Sequence, residues 1–271
     1  MRTDPSDVLA DAAAANLAAL LATGERLLAV DIELLGRAPR GSGGTETAQG
    51  VGVLPLHGSI MPRGQGGLEG FVARLANLVA NPDVGAIIID VDSPGGAVAG
   101  TSEAADAVRA AAAVKPVYAL ADSLAASAAY WIASQASQLW VTPSGAVGSI
   151  GIIGMHMDVS KALEMSGVTA TVITAGKYKG EQSPFAPLSE EARAHIQSQA
   201  DAEHANFIRA VAAGRRVSQE MVASDFGQGR IVPAAKAVKA GMADRVGTMA
   251  DLVGSLRTKT GAMRRRADFI F

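Results

Sequence analysis

VGAIIIDVDSPGG, residues 84–96, decides the fold. The portion VGAIIIDVDS (84–93) is a nearly continuous apolar run. A strand covered on one face alternates apolar and polar residues; a run like this suits a parallel strand buried on both faces. Asp92-Ser93-Pro94-Gly95-Gly96 breaks the run, and a helix over 97–114 follows. In a parallel sheet, a functional loop is expected beyond a strand's C-terminal end. Two glycines let the backbone approach a substrate and aim amide hydrogens at it. The helix start adds a field that favours developing negative charge. The same residues also read as a plain β–α turn. A phosphate loop is excluded, because no Gly-Lys-Ser/Thr follows. The glycines at 64–70 miss the GxGxxG spacing.

Alternation continues on both sides. Upstream, VGVLPLHG (51–58) reads as a strand, and LEGFVARLANLVANP (68–82) as a helix with Phe71, Leu75, Leu78 and Val79 on one face. Downstream come a strand VYALA (117–121), a helix SAAYWIASQA (127–136) and a strand QLWVT (138–142). SGAVGSIGIIG is glycine-rich. VSKALEMSG (159–167) looks helical, and TATVITAG (169–176) is β-branched and strand-like. A long helix begins after Ser189, which is a plausible N-cap, although Ala192 stands where a capping box wants Glu. A small strand is expected near Asp244–Val246. Repeated strand–helix–strand order predicts a mostly parallel sheet with right-handed crossovers. Around this unit at 51–256 lie an N-terminal helical segment (1–36), a polar, glycine-rich linker (37–50) and a basic tail (257–271). The tail's Arg264, Arg265 and Arg266 read as a solvated end.

Composition narrows the chemistry. Apolar residues make up 49% of the 271 residues, so a large core can be buried. The formal net charge is −2, which gives no electrostatic reason to expect nucleic acid. The chain has no cysteine, so disulfides, thiolate nucleophiles and zinc–thiolate sites are excluded. Asp4, Asp7 and Asp11 stand where a signal peptide needs a positive region and an unbroken apolar run. No stretch approaches the ~18 consecutive apolar residues of a membrane span.

Ser127 lies in ADSLAASAAYWIA, at the start of a helix that follows a strand. Its alanine neighbours leave room for a peptide to reach the hydroxyl, and the amide of Ala128 can point at an oxyanion. The competing reading is a helix N-cap, although Ser123 is better placed as a simple cap. A serine nucleophile needs a base. His195 and His204 fall on a long polar-faced helix and His57 ends a strand; His156 is the serious histidine rival, although no well-placed acid partner for it is obvious. Lys177 and Lys179, in GKYKGEQSPF, are the alternative. A lysine base must be neutral near pH 7. Bringing its pKa down from about 10.4 by ~3 costs about 4 kcal/mol, which burial among apolar groups supplies. Residue types alone do not choose between Lys177 and Lys179.

DSPGG, AASAAYWIA, VGSIG and GKYKGEQSPF, taken in order, resemble the S49 peptidases, a family of signal peptide peptidases and phage capsid proteases. The resemblance runs from about Val51 to about Val253. It implies a ClpP/crotonase-like α/β fold with repeated β-β-α and βαβ units and a helical C-terminal part. It implies a Ser-Lys dyad with Ser127 as nucleophile and Lys179 as base, and Ser149 as a hydroxyl that orients the lysine. The oxyanion donors fall on Gly95 or Gly96, with the amide of Ala128. The dyad sets a physical demand: Lys179 must be largely buried, its amine within hydrogen-bond reach of Ser127 and close to Ser149. No cofactor or metal is implied.

GVGVLPLHGSI, NPDVGAIIIDVDSPGG and SPFAPLSEEAR bring the chain closer to the lambda-type head-maturation proteases of tailed phages. That branch acts inside the prohead on scaffold and portal-associated proteins, which implies protein substrates and a cytoplasmic setting in a bacterial or infected cell. Its lambda-like members carry a scaffold extension after the protease domain, where this chain has its basic tail. A cellular signal-peptide-peptidase-like protease is the alternative within the family. A crotonase-like acyl-CoA enzyme or an inactive assembly protein are alternatives of a different class. Family members form rings, so a homo-oligomer is expected. The sequence leaves open whether a neighbouring subunit completes the site.

Overall fold

The structure is a computed structural model and describes residues 27–30, 46–48, 50–64 and 66–256. The rest of the expected N-terminal helical segment, most of the linker and the basic tail lie outside the described residues. Two parts of those expectations are corrected. Leu27–Val30 is a strand, β1, and Glu46–Ala48 is a strand, β2. LLAV is too short for periodicity to separate helix from strand, and strand pairing decides it.

The main sheet is built around β3 (Val51–His57), β4 (Ala86–Ser93) and β6 (Val117–Ala126), which pair in parallel. Helix α1 (Leu68–Ala80) connects the first two, and α2 (Thr101–Val114) the second two. Strand order is β10-β8-β6-β4-β3-β2, where β8 is Ala146–Gly148 and β10 is Ile231–Pro233. Only the outer pairs, β2–β3 and β8–β10, are antiparallel in this row. β7 (Gln138–Val141) also pairs with β6, and β11 (Arg245–Val246) with β7, both in parallel. Strand β6 changes neighbours halfway. Tyr118–Ala121 runs beside β7, and Leu124–Ala126 beside β8.

Strand β4 is buried on both faces, as its composition requires. Ile87, Ile89 and Val91 join Phe71, Leu75 and Val108 in the large core. Ile88 points the other way, among Tyr118, Leu120, Trp140, Leu252 and Leu256, the last two on the helical residues 249–256. Each fully buried isoleucine contributes about 1.5–3 kcal/mol.

Short helix α3 (Ala128–Ala133) follows β6 directly and packs on α2, on β5 (Gly95–Ala97) and on the long helix α5 (Glu190–Arg215). Trp131 stacks on Phe207 with ring centroids 4.6 Å apart. Ser189 caps α5, its Oγ accepting the Ala192 amide at 3.1 Å. After α6 (Gln219–Asp225) and α7 (Ala234–Ala240), a clip fastens the end of the domain. Arg215 donates twice to Asp244, at 2.8 and 2.9 Å, and Asp244 accepts the Leu139 amide at 2.7 Å. Burial alone pushes the Asp244 carboxyl up. The hydrogen bonds from Arg215 and Leu139, with the charges of Arg215 and Arg216, outweigh it and hold the group below the usual carboxylate range. Tyr130 donates to the Met242 carbonyl at 2.9 Å, and burial pushes its phenol far up.

Residues 151–191 include none that is buried. They form an arm with strand β9 (Ile153–Gly154) and helix α4 (Ser160–Met165). TATVITAG, expected as a strand, is irregular and exposed here. β-branched residues favour strands where a neighbouring strand pairs and packs against them, and none does so among the described residues.

Candidate active site

The site grows from the C-terminal ends of β4 and β6. Ser93 closes β4, fully buried. Its Oγ donates to the Gly58 carbonyl at 2.6 Å and accepts the Gly95 amide at 3.1 Å. Gly95 has φ 98°, a left-handed value that favours glycine. Ile60 bridges to Gly96 from the other side: its amide donates to the Gly95 carbonyl at 2.7 Å, and its carbonyl accepts the Ala97 amide at 2.9 Å. A Cβ at Gly96 would run into the Ile60 backbone. The DSPGG loop is therefore not a plain turn. It continues into strand β5, which the sequence reading did not foresee.

Ser127 sits on the turn between β6 and α3 with φ 52° and ψ −121°. A non-glycine residue held there costs about 1–3 kcal/mol and persists only where its surroundings over-determine it. They do so here. Its amide donates to Gly148 at 2.7 Å, and its carbonyl accepts the Trp131 amide at 2.9 Å. Ala125, Ala126, Ala128 and Ala129 around it are wholly buried. The N-cap reading fails, because the side chain makes no capping hydrogen bond. Instead the Oγ is buried with no hydrogen-bond partner among the described residues. A strained strand-to-helix turn that carries a serine is the geometry of a nucleophile elbow. The Ala128 amide lies in the first turn of α3, where no intrahelical acceptor exists. Ser123, expected as a simple cap, lies inside β6 and donates to Asp92 at 3.0 Å.

Ser149 directly follows Gly148, the backbone partner of Ser127. It is 7% exposed, has φ 55°, and its amide donates to Arg230 at 3.0 Å. The structure thus brings Ser127, Ala128, Ser149, Gly95 and Gly96 into one region. Lys179 does not join them. It is exposed on the arm, and neither a side-chain hydrogen bond nor an ion pair links it to any described residue. The demand that it be buried against Ser127 is not met within the single chain. The strand expected to carry it inward does not form there. Lys177 is engaged elsewhere, 2.5 Å from the Tyr178 hydroxyl and 3.7 Å from Glu191. His57 bonds Asp90 across β3 and β4 at 3.0 Å, and His156 faces the Ala186 carbonyl at 3.3 Å. Neither reaches Ser127.

Sequence reasoning missed Ser93 and Ile60, which set the glycine pair. A serine ending a buried strand just before Pro-Gly-Gly was the available signal for the first. The second had none.

Comparison with known proteins adds the family. The model of peptidase family S49 matches residues 109–262. Capsid assembly protease C of Escherichia phage lambda is 33% identical over 216 residues, 77% of this chain and 49% of that protein. Head-tail preconnector protein GP5 of Enterobacteria phage P21 is 32% identical over 205 residues, 73% of this chain and 40% of that protein. Protease 4 of Salmonella typhi is 30% identical over 218 residues, 78% of this chain and 34% of that protein. The chain spans about half the length, or less, of these curated relatives. No helix among the described residues is long and apolar enough to cross a membrane. The family model covers more than half of the chain and the relatives cover about three quarters of it, so the chain belongs to peptidase family S49.

Proposed function

We propose that this chain is a serine endopeptidase in which Ser127 attacks the peptide carbonyl and Lys179 is the general base. The observation that carries the reading is the strained elbow with a buried, unpartnered hydroxyl at Ser127. Neutral Lys179 takes the Ser127 proton as Oγ bonds to the carbonyl carbon. The backbone amides of Gly96 and Ala128 hold the oxyanion, since the Gly95 amide is already given to Ser93. The lysine ammonium then gives its proton to the leaving amine. Water hydrolyses the acyl-enzyme and regenerates both groups. Ser149 orients the amine. The family resemblance favours small apolar side chains beside the scissile bond.

The base comes from a second copy of the chain. Among the described residues Ser127 is buried without a hydrogen-bond partner and Lys179 is exposed without one, so each half of the proposed dyad is open. The arm that carries Lys179 exposes Met157, Met165, Val168, Val172, Ile173 and Tyr178. Exposed apolar surface of this kind marks an interface. Packing against another copy would strip Lys179 of water, as a lysine base requires. Lys177, held by Tyr178 and Glu191, stays outside.

The names of the lambda and P21 relatives support a phage or prophage role, and the family resemblance implies scaffold or portal-associated proteins as substrates inside the prohead. Casein hydrolysis and self-cleavage test the chemistry. Ser127→Ala and Lys179→Ala abolish both, and Lys177→Ala retains both. Unchanged hydrolysis in Ser127→Ala, or loss in Lys177→Ala alone, overturns the assignment.

A further inference from the structure

Strand β1 has an unusual position. Leu27–Val30 lies between β5 and β9, antiparallel to both. Its register sets Val30 opposite Gly95, Ala29 opposite Gly96 and Leu28 opposite Ala97. On the other edge, Leu27 faces Gly154 and Leu28 faces Ile153. Both flanking strands lead away from Ser127. β5 begins two residues after Ser93, which pairs with Ala125, and it packs on the elbow helix α3. β9 begins five residues after Gly148, which holds the Ser127 amide.

Backbone alternation fixes the pairing further. The Gly95 carbonyl and the Ala97 amide are turned toward Ile60. Successive residues of a strand face opposite ways, so the amide and carbonyl of Gly96 are turned toward Ala29. Leu28, one residue earlier, is turned toward Ile153. A strand added at two open edges gains main-chain hydrogen bonds whatever its sequence, and this is how extended peptides dock.

We propose that residues 27–30 are a built-in occupant of the peptide cleft, a pseudosubstrate strand that an incoming polypeptide must displace. This rests on the peptidase reading above. Substrate then enters as an extended strand, antiparallel to Gly95–Ala97 and to Ile153–Gly154. The tethered segment competes at an effective concentration that reaches the millimolar range for short linkers. Displacement therefore raises KM while leaving the chemical step intact.

The test uses the full chain with Ala29→Pro, which removes the amide facing Gly96 and cannot pair. Ala29→Gly keeps the amide and serves as the control. With labelled casein, Ala29→Pro should lower KM by roughly threefold or more, with kcat within about twofold of the unaltered chain. Ala29→Gly should stay near the unaltered KM. The free peptide ERLLAVDI (residues 25–32) should then inhibit the Ala29→Pro chain competitively, and the same peptide with proline in place of Ala29 should not. Equal KM in the unaltered and Ala29→Pro chains, with no inhibition by either peptide, overturns the proposal and leaves the peptidase reading standing. If no chain hydrolyses casein, the peptidase reading fails. The proposal is then decided by fluorescence anisotropy of labelled ERLLAVDI on the Ala29→Pro, Ser127→Ala chain. Saturable binding that the proline peptide lacks supports it, and absence of binding overturns it.

Discussion

Removing the Ser127 hydroxyl should make the single chain more stable, and the amount follows from its surroundings. The residue is 1% exposed and its Oγ has no partner among the described residues. A hydroxyl stripped of water and left unbonded costs about 1–3 kcal/mol. Ser127→Ala removes that cost and keeps the Cβ, so the strain at φ 52° stays the same in both proteins. The low end of the range, about 1 kcal/mol, corresponds to a rise in Tm of roughly 2–4 °C for a chain of this size. Where the dyad forms, the substitution also deletes a hydrogen bond to lysine, worth about 0.5–1.5 kcal/mol. The two effects oppose each other, and a double-mutant cycle with Lys179→Ala separates them. Thermal unfolding of the four proteins, at one protomer concentration because assembly shifts Tm, reads the cycle. In the Lys179→Ala background, Ser127→Ala should raise Tm by the full amount. With Lys179 present, the gain should be smaller or reversed. A fall in Tm in the Lys179→Ala background would refute the reasoning, because the Oγ would then have a partner within its own chain.

Other perturbations test the supports of the site. Gly96→Ala forces a Cβ into the Ile60 backbone and must shift β5; we expect casein hydrolysis to fall about tenfold or more, at about 1–3 kcal/mol of lost stability, and a wild-type kcat/KM would contradict it. Gly214→Ala drives a Cβ onto the Ser134 carbonyl between α5 and α3, beside the Gln135 amide; about 1–3 kcal/mol should be lost in urea unfolding. Arg215→Ala removes both hydrogen bonds to Asp244, and the cost at pH 7 should be about 1–2 kcal/mol, at the low end because Asp244 is partly exposed. The folded-state pKa of Asp244 is depressed, so its contribution is present above the unfolded carboxylate value of about 3.9 and is lost as pH falls through the folded value. The stability gap between Arg215→Ala and the unaltered protein should therefore close in acid, and a gap that widens below pH 4 would contradict the assignment.

Much of this architecture was legible in particular residues. The run Ile87-Ile88-Ile89 announced a strand covered on both faces, and the two cores on either side of β4 are what it buries. Small residues around Ser127 left its hydroxyl accessible in principle, yet nothing in the letters separates a cap from an elbow. That distinction lives in φ, ψ and the missing capping bond. Strands of three or four residues, such as β1 and β5, carry no periodicity; pairing with neighbours creates them. TATVITAG shows the converse, since local preference for strand is not expressed without a partner edge. Lys179 stayed illegible for a related reason. The segment's letters do not say what packs against the exposed arm, and the proposed role of Lys179 depends on that.

We propose that Ser127 of one copy is served by Lys179 of another. Mixing the Ser127→Ala and Lys179→Ala proteins, each inactive alone and each folded, tests it directly. After subunit exchange, random assembly should restore casein hydrolysis to about a quarter of the unaltered rate, since a site works where an intact serine meets an intact lysine across a subunit contact. A mixture of exchanged subunits that stays at background would contradict the claim.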